Sequence, residues 1–112
     1  MIAINGSGNI YTCIRYMESS LNNKQQPLYY GNVNHGILTN DIEKNNYNLL
    51  CNITRRSQST DECYYCSIGK GCGWCSGYNY EEFGTPNKRT TYICCMHKAR
   101  VAANVYYWNK LY

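Results

Sequence analysis

The sequence predicts a small α+β domain, and three observations lead there. The first is size: 112 residues suit one domain around one modest core. The second is what that core can be made of. The apolar share is 44%, but 13 Tyr and 8 Cys supply much of it against one Phe, so aliphatic packing alone is marginal and a staple is expected. The third is a run of four cysteines within thirteen residues, Cys63-Tyr-Tyr-Cys66-Ser-Ile-Gly-Lys-Gly-Cys72-Gly-Trp-Cys75, spaced C-x2-C-x5-C-x2-C. A core can be packed with Leu or Val at less chemical risk, so thiols this dense either hold a metal or pair as disulfides.

The elements follow in order. Met-Ile-Ala-Ile, the turn cluster Asn5-Gly6-Ser7-Gly8 and Asn9-Ile-Tyr-Thr-Cys13 read as an N-terminal β-hairpin. Ile14 to Met17 extends the second strand, and Ser19 to Pro27 is polar and loop-like. Leu28-Tyr-Tyr-Gly-Asn-Val33 is a short strand. A helix is expected from Thr39 or Asn40, with Glu43 completing a capping box and Ile42 with Leu49 or Leu50 on its buried side. Residues 52–62 read as an exposed connector, and Gly84-Thr-Pro86-Asn-Lys-Arg as a turn. A C-terminal helix begins near Thr91, with Val101, Val105 and Trp108 on an apolar stripe that meets His97 one turn earlier.

The compartment bears on what the thiols do. No apolar run approaches the about 20 residues of a membrane span. The start lacks the basic and apolar regions of a signal peptide, so a cytoplasmic setting, where thiols stay reduced, is expected. That favours metal over disulfides without removing the disulfide reading. The net charge of +4 is mild and forms no basic tail, so an acidic partner is permitted and nucleic acid is not expected. Structural zinc prefers two C-x2-C knuckles with a spacer of about a dozen residues or more, whereas five separate Cys66 from Cys72. Iron–sulfur clusters tolerate compact runs of thiolates because their irons lie apart. Gly69, Gly71 and Gly73 would let the backbone wrap around such a group.

These residues carry a family resemblance. Gly8-Asn-Ile-Tyr-Thr-Cys13 is similar to a G-x4-C element. Cys63, Cys66, Cys72 and Cys75 follow a C-x2-C-x5-C-x3-C run except that the last gap is x2, and a final Cys is met by Cys94 or Cys95. In that order they resemble the SPASM domain, the C-terminal auxiliary-cluster domain of radical SAM enzymes that modify peptides and proteins. The Leu28–Val33 stretch also looks like the segment after the first hairpin in these domains, so the resemblance spans nearly the whole of residues 1–112.

The resemblance implies a fold of N-terminal hairpin, cluster-binding loops and C-terminal helix carrying one or two [4Fe–4S] clusters. It implies a distal cluster on Cys63, Cys66, Cys72 and Cys94 or Cys95, and a proximal cluster shared by Cys75 and Cys13. Their role would be electron transfer from a substrate radical, or substrate positioning, with a peptide or protein substrate and an electron donor as partners. The radical SAM signature C-x3-C-x2-C is absent from the chain. S-adenosylmethionine would therefore belong to a barrel domain in cis or in trans, and this chain reads as the C-terminal piece from a truncated or split gene. No paired carboxylates and no Ser/His/Asp set stand out, so no turnover is expected of it alone.

The remaining features have plainer readings. Cys51 follows Leu49-Leu50 and is expected as a buried thiol, with a ligand role as the alternative. One of Cys94 and Cys95 is expected to pack, and Cys94 is favoured as the ligand. His97 reads as a helix-surface or capping residue and His35 as a solvated loop residue. Trp74, Tyr78, Tyr80 and Tyr92 are expected to shield the cluster from water, and Tyr106-Tyr107-Trp108 to pack the helix. Lys88-Arg89 and Arg55-Arg56 are expected in solvent. The alternative function, from another class, is a small zinc-binding interaction or nucleic-acid module.

Overall fold

A computed structural model describes residues 1–112. The chain forms a small α+β domain: one antiparallel sheet and six helices. The sheet is a meander of β1 (Ala3–Ile4), β2 (Asn9–Tyr11), β3 (Gly31–Asn32) and β4 (Gly36–Ile37), paired in sequence order. Its register sets Ala3 opposite Tyr11, Ile10 opposite Gly31 and Gly31 opposite Ile37. The expected hairpin is present because Asn5 shapes its turn. The Asn5 side-chain oxygen accepts from the Ser7 and Asn9 amides at 3.1 and 2.9 Å. Gly8 sits there at φ +83°, and a Cβ on it would stand 2.7 Å from Val33 Cγ2. The positive φ therefore requires glycine, and the Val33 side chain takes the space that a Cβ would fill.

Beyond the hairpin the chain departs from several expectations. Residues 14–16 form one turn of 3₁₀ helix instead of extending the strand. The loop after it contains α1 (Glu18–Leu21), ended by Asn22 and Asn23 at φ +50° and +60°. Residues 52–62 are not a bare connector. They hold α3 (Arg55–Gln58) and α4 (Asp61–Tyr64), whose amide ends are capped by Thr54 and Thr60.

The expected helix at Asn40 is α2 (Asp41–Cys51), with the Asn40 side chain accepting from the Glu43 amide at 2.9 Å. Its buried side is different. Ile42 and Leu49 are exposed, Leu50 packs at the edge of the core, and Glu43 is the buried residue at 1% exposure. Glu43 leaves the capping box half-closed because its carboxylate has other partners. It accepts from the Thr39 amide and hydroxyl at 2.8 and 2.9 Å and pairs with His35 Nε2 at 2.6 Å. Desolvation works to raise its pKa, but these bonds from His35 and Thr39 outweigh it and hold the carboxyl at about 2. His35 is thereby a clasp between the β3–β4 turn and α2, not a free loop residue.

The apolar core is Ala3, Tyr11, Tyr16, Leu21, Leu28 and Tyr80. Tyr80 comes from α5 (Ser76–Phe83), a helix the sequence did not announce, and its ring lies 6.0 Å from that of Tyr16. The last element, α6 (Cys94–Leu111), matches the expected C-terminal helix in place and length but not in packing. Val105, Tyr106, Tyr107 and Trp108 are all more than half exposed, so the apolar stripe leaves the body of the domain after Val101. No helix is long and apolar enough to cross a membrane.

Candidate metal centre

The cysteine run unfolds into separate local structures, each placing one thiol. The Thr60 hydroxyl accepts from the Cys63 amide at 3.3 Å, which starts α4 and fixes Cys63 in its last turn. The chain then tightens through Cys66 N–H to Cys63 O and Gly69 N–H to Cys66 O, at 3.3 and 2.9 Å. A 3₁₀ turn at residues 69–71 delivers Cys72 in extended conformation. Of the three glycines around Cys72 none takes a positive φ, and Gly69 alone is approached closely, by the Arg55 guanidinium. Arg55 also donates to the Tyr64 carbonyl at 2.5 Å, tying α3 to α4. Arg100 of α6 donates to the Gly71 carbonyl at 2.9 Å, which sets the start of α6 against the turn that carries Cys72.

The result is a cavity of about 360 Å³ lined by Cys63, Cys66, Cys72 and Cys94. Each of the four thiols is partly buried. Arg89, His97 and Lys98 also line the cavity, against one acidic residue, Glu62, so its walls favour an anionic occupant. Cys94 opens an 18-residue helix, and it is the one residue of the 94–95 pair that lines the cavity. Arg89 Nη2 donates to Cys72 Sγ at 2.5 Å. Arg89 Nη1 and His97 Nε2 are buried with no hydrogen-bond partner.

The other cysteines lie elsewhere. Cys13 ends the hairpin just before the 3₁₀ turn, and Cys75 precedes α5. Arg15 donates to the Tyr78 hydroxyl at 2.6 Å, and the Tyr16 and Ser76 hydroxyls share a bond of 2.5 Å, which joins these two segments. Both thiols come near Tyr16. Its hydroxyl is pushed up to about 12, chiefly by burial and further by Cys75 and Cys13, against the lowering effect of Ser76. Gly77 makes this approach feasible, since a Cβ there would meet Arg15 Cβ at 2.5 Å. Cys51 and Cys95 are exposed and do not line the cavity. The expected burial of Cys51 fails because it sits on the outer side of the last turn of α2, within reach of Tyr47. Of the adjacent pair, Cys94 is the cavity residue, because neighbours on a helix point about 100° apart.

Several other expectations are corrected. His97 is not on the surface but 6% exposed in the cavity wall, one turn after Cys94 on the same helix face. Arg89 is buried and Arg55 half-buried. Trp74, Tyr78, Tyr80 and Tyr92 form no shield, since none lines the cavity. Tyr80 serves the apolar core, Tyr78 lies under Arg15, and Tyr92 meets Tyr78 edge-on with ring centres 6.4 Å apart.

Two kinds of occupant ask different things of these donors. A zinc ion draws its donors to about 2.0–2.3 Å of one point. No group of three or more His, Cys, Asp or Glu side chains is placed to hold a metal ion. The four cavity thiols stand around a volume of about 360 Å³, where about 15 Å³ admits one water, so the space suits a group of several atoms. Four thiols on one cavity are the donor type that a thiolate-ligated iron–sulfur cluster uses. Compared with family models, curated proteins and solved structures, the chain matches none.

Proposed function

We propose that this domain is an auxiliary iron–sulfur module of the SPASM type, holding a [4Fe–4S] cluster on Cys63, Cys66, Cys72 and Cys94. The observation that carries the reading is the gathering of these four thiols around one cationic cavity. When bound there, such a cluster supplies one-electron chemistry. The chain's own residues do the rest. Arg89 donates to Cys72 Sγ, Lys98 adds positive charge at the wall, and Ile68 adds an apolar side chain there. Cys13 and Cys75 contribute two ligands toward a second cluster, and the domain serves a radical SAM barrel. S-adenosylmethionine binds in that barrel, and the substrate is a peptide or protein. The setting is cytoplasmic.

Occupancy also stabilises the fold. Only 18 of 112 residues are buried, too few for apolar packing to hold the whole chain, so metal binding contributes much of its folding free energy. The test is anaerobic reconstitution of the chain with iron and sulfide. About four irons and four sulfides per chain at the cavity, with broad blue absorbance, are expected. Uptake of one zinc and no sulfide would overturn the reading in favour of a zinc-binding module.

A further inference from the structure

Arg89 is a buried cation with no carboxylate. The ion pairs of the domain are Lys24–Glu81, His35–Glu43 and Arg56–Asp61, and Arg89 is in none of them. It is 9% exposed, its Nη2 stands 2.5 Å from Cys72 Sγ, and its Nη1 has no partner. A guanidinium is always protonated, so an unpaired one in this position is unfavourable unless something anionic faces it.

Its placement is built into the fold. The Arg89 amide donates to the Gln58 carbonyl at 2.9 Å. Next to it, the Thr90 amide donates to Asn79 Oδ1 at 2.9 Å, and Asn79 Nδ2 donates to Gln58 Oε1 and the Pro86 carbonyl at 2.8 and 3.0 Å. Asn79 is 0% exposed. Two helices, α3 and α5, therefore clamp the segment that aims Arg89 at Cys72. Lys88, one residue earlier, lies over the Phe83 ring at the surface, so the clamp selects Arg89 alone.

We propose that Arg89 is a positioning residue that sets the reduction potential of the cavity's iron–sulfur group through Cys72. This rests on the reading that the cavity holds a [4Fe–4S] cluster. A cationic donor on a ligand sulfur withdraws negative charge, and the reduced state carries one more negative charge than the oxidised state. Arg89 therefore stabilises the reduced state and raises the potential. The planar fork matters as well as the charge, since one nitrogen engages Cys72 while the other remains available inside the cavity wall.

The experiment reconstitutes wild type, Arg89→Lys and Arg89→Gln with iron and sulfide, counts iron, and measures the midpoint potential by spectroelectrochemical titration. All three are expected to hold about four irons. The potential is expected to fall in the order wild type, Arg89→Lys, Arg89→Gln. Should Arg89→Gln fail to load, Arg89→Lys alone carries the comparison, because it keeps the charge and loses the fork. Loaded variants with the wild-type potential would overturn the role of Arg89 while leaving the cluster reading intact. Wild type that takes up zinc without sulfide would overturn both.

Discussion

The two halves of this domain are held together by different physics. The first half, with Tyr80 reaching in from α5, has the apolar core of Ala3, Tyr11, Tyr16, Leu21 and Leu28. The second half is joined through polar groups: Gln58, Asn79 and Thr90 in one buried network, and Arg55, Arg89 and Arg100 bridging loops. The unsatisfied buried side-chain atoms are equally one-sided. They belong to Arg55, Gln58, Ser59, Arg89, Thr90 and His97, all in the half that contains the cavity. Buried polar atoms without partners are costly, and the apolar core has none of them. The difference teaches that the first half closes as an apolar packing solution, while the second leaves buried polar groups without protein partners, two of them, on Arg89 and His97, in the cavity wall.

The strongest way to break that contrast is to remove a cavity thiol. Cys72→Ser and Cys94→Ser are each expected to lower reconstituted iron from about four per chain to near zero, measured by metal analysis. Cys13→Ser should leave the cavity's irons in place. Equal loss from all three would mean that the cavity is not a separate site.

Next come two substitutions of similar size in opposite halves. Leu21→Ala should cost about 3 kcal/mol by opening a cavity in the apolar core. Asn79→Ala should cost about 3 kcal/mol by leaving the Gln58, Pro86 and Thr90 groups unpaired. Thermal unfolding with and without reconstitution separates them. The Leu21→Ala loss should be the same in both states. The Asn79→Ala loss should be larger in the reconstituted protein, because it also releases Arg89.

A smaller effect comes from acid. The Glu43 carboxyl is held at about 2, below its ordinary value of 4.5. The unfolded chain therefore binds this proton first, so the stabilisation is full above pH about 4.5 and is lost as pH falls toward 2. Glu43→Gln should lower stability at neutral pH and flatten this acid limb in chemical denaturation curves. It should leave iron content unchanged, since Glu43 belongs to the clasp with His35 and Thr39. The smallest effect is expected at the exposed thiols: Cys51→Ser and Cys95→Ser should change neither iron content nor melting temperature measurably.

Much of the local structure was legible in the residues. Asn5 and Gly8 announced the hairpin, Asn40 announced α2, and the spacing of Cys63, Cys66 and Cys72 announced a thiol site. Some placements were readable only as hints. The stripe of α6 meets His97 three residues after Cys94, which already puts both on one face, yet a lone His gives no sign of burial. Other features left no trace in the sequence. Nothing in Pro86-Asn-Lys-Arg distinguishes Arg89 from Lys88, and nothing in α2 says that Glu43 is buried while Ile42 is exposed.

By itself, then, the sequence determined the hairpin turn, the start of α2 and the crowding of thiols, because these depend on interactions within a few residues. Tertiary structure alone decided which cysteine of the 94–95 pair meets the run at 63–72 and that Arg89 faces Cys72. Those outcomes depend on contacts between residues far apart in the chain. The Asn79 network and the Arg100–Gly71 bond fix them, and no local propensity encodes either.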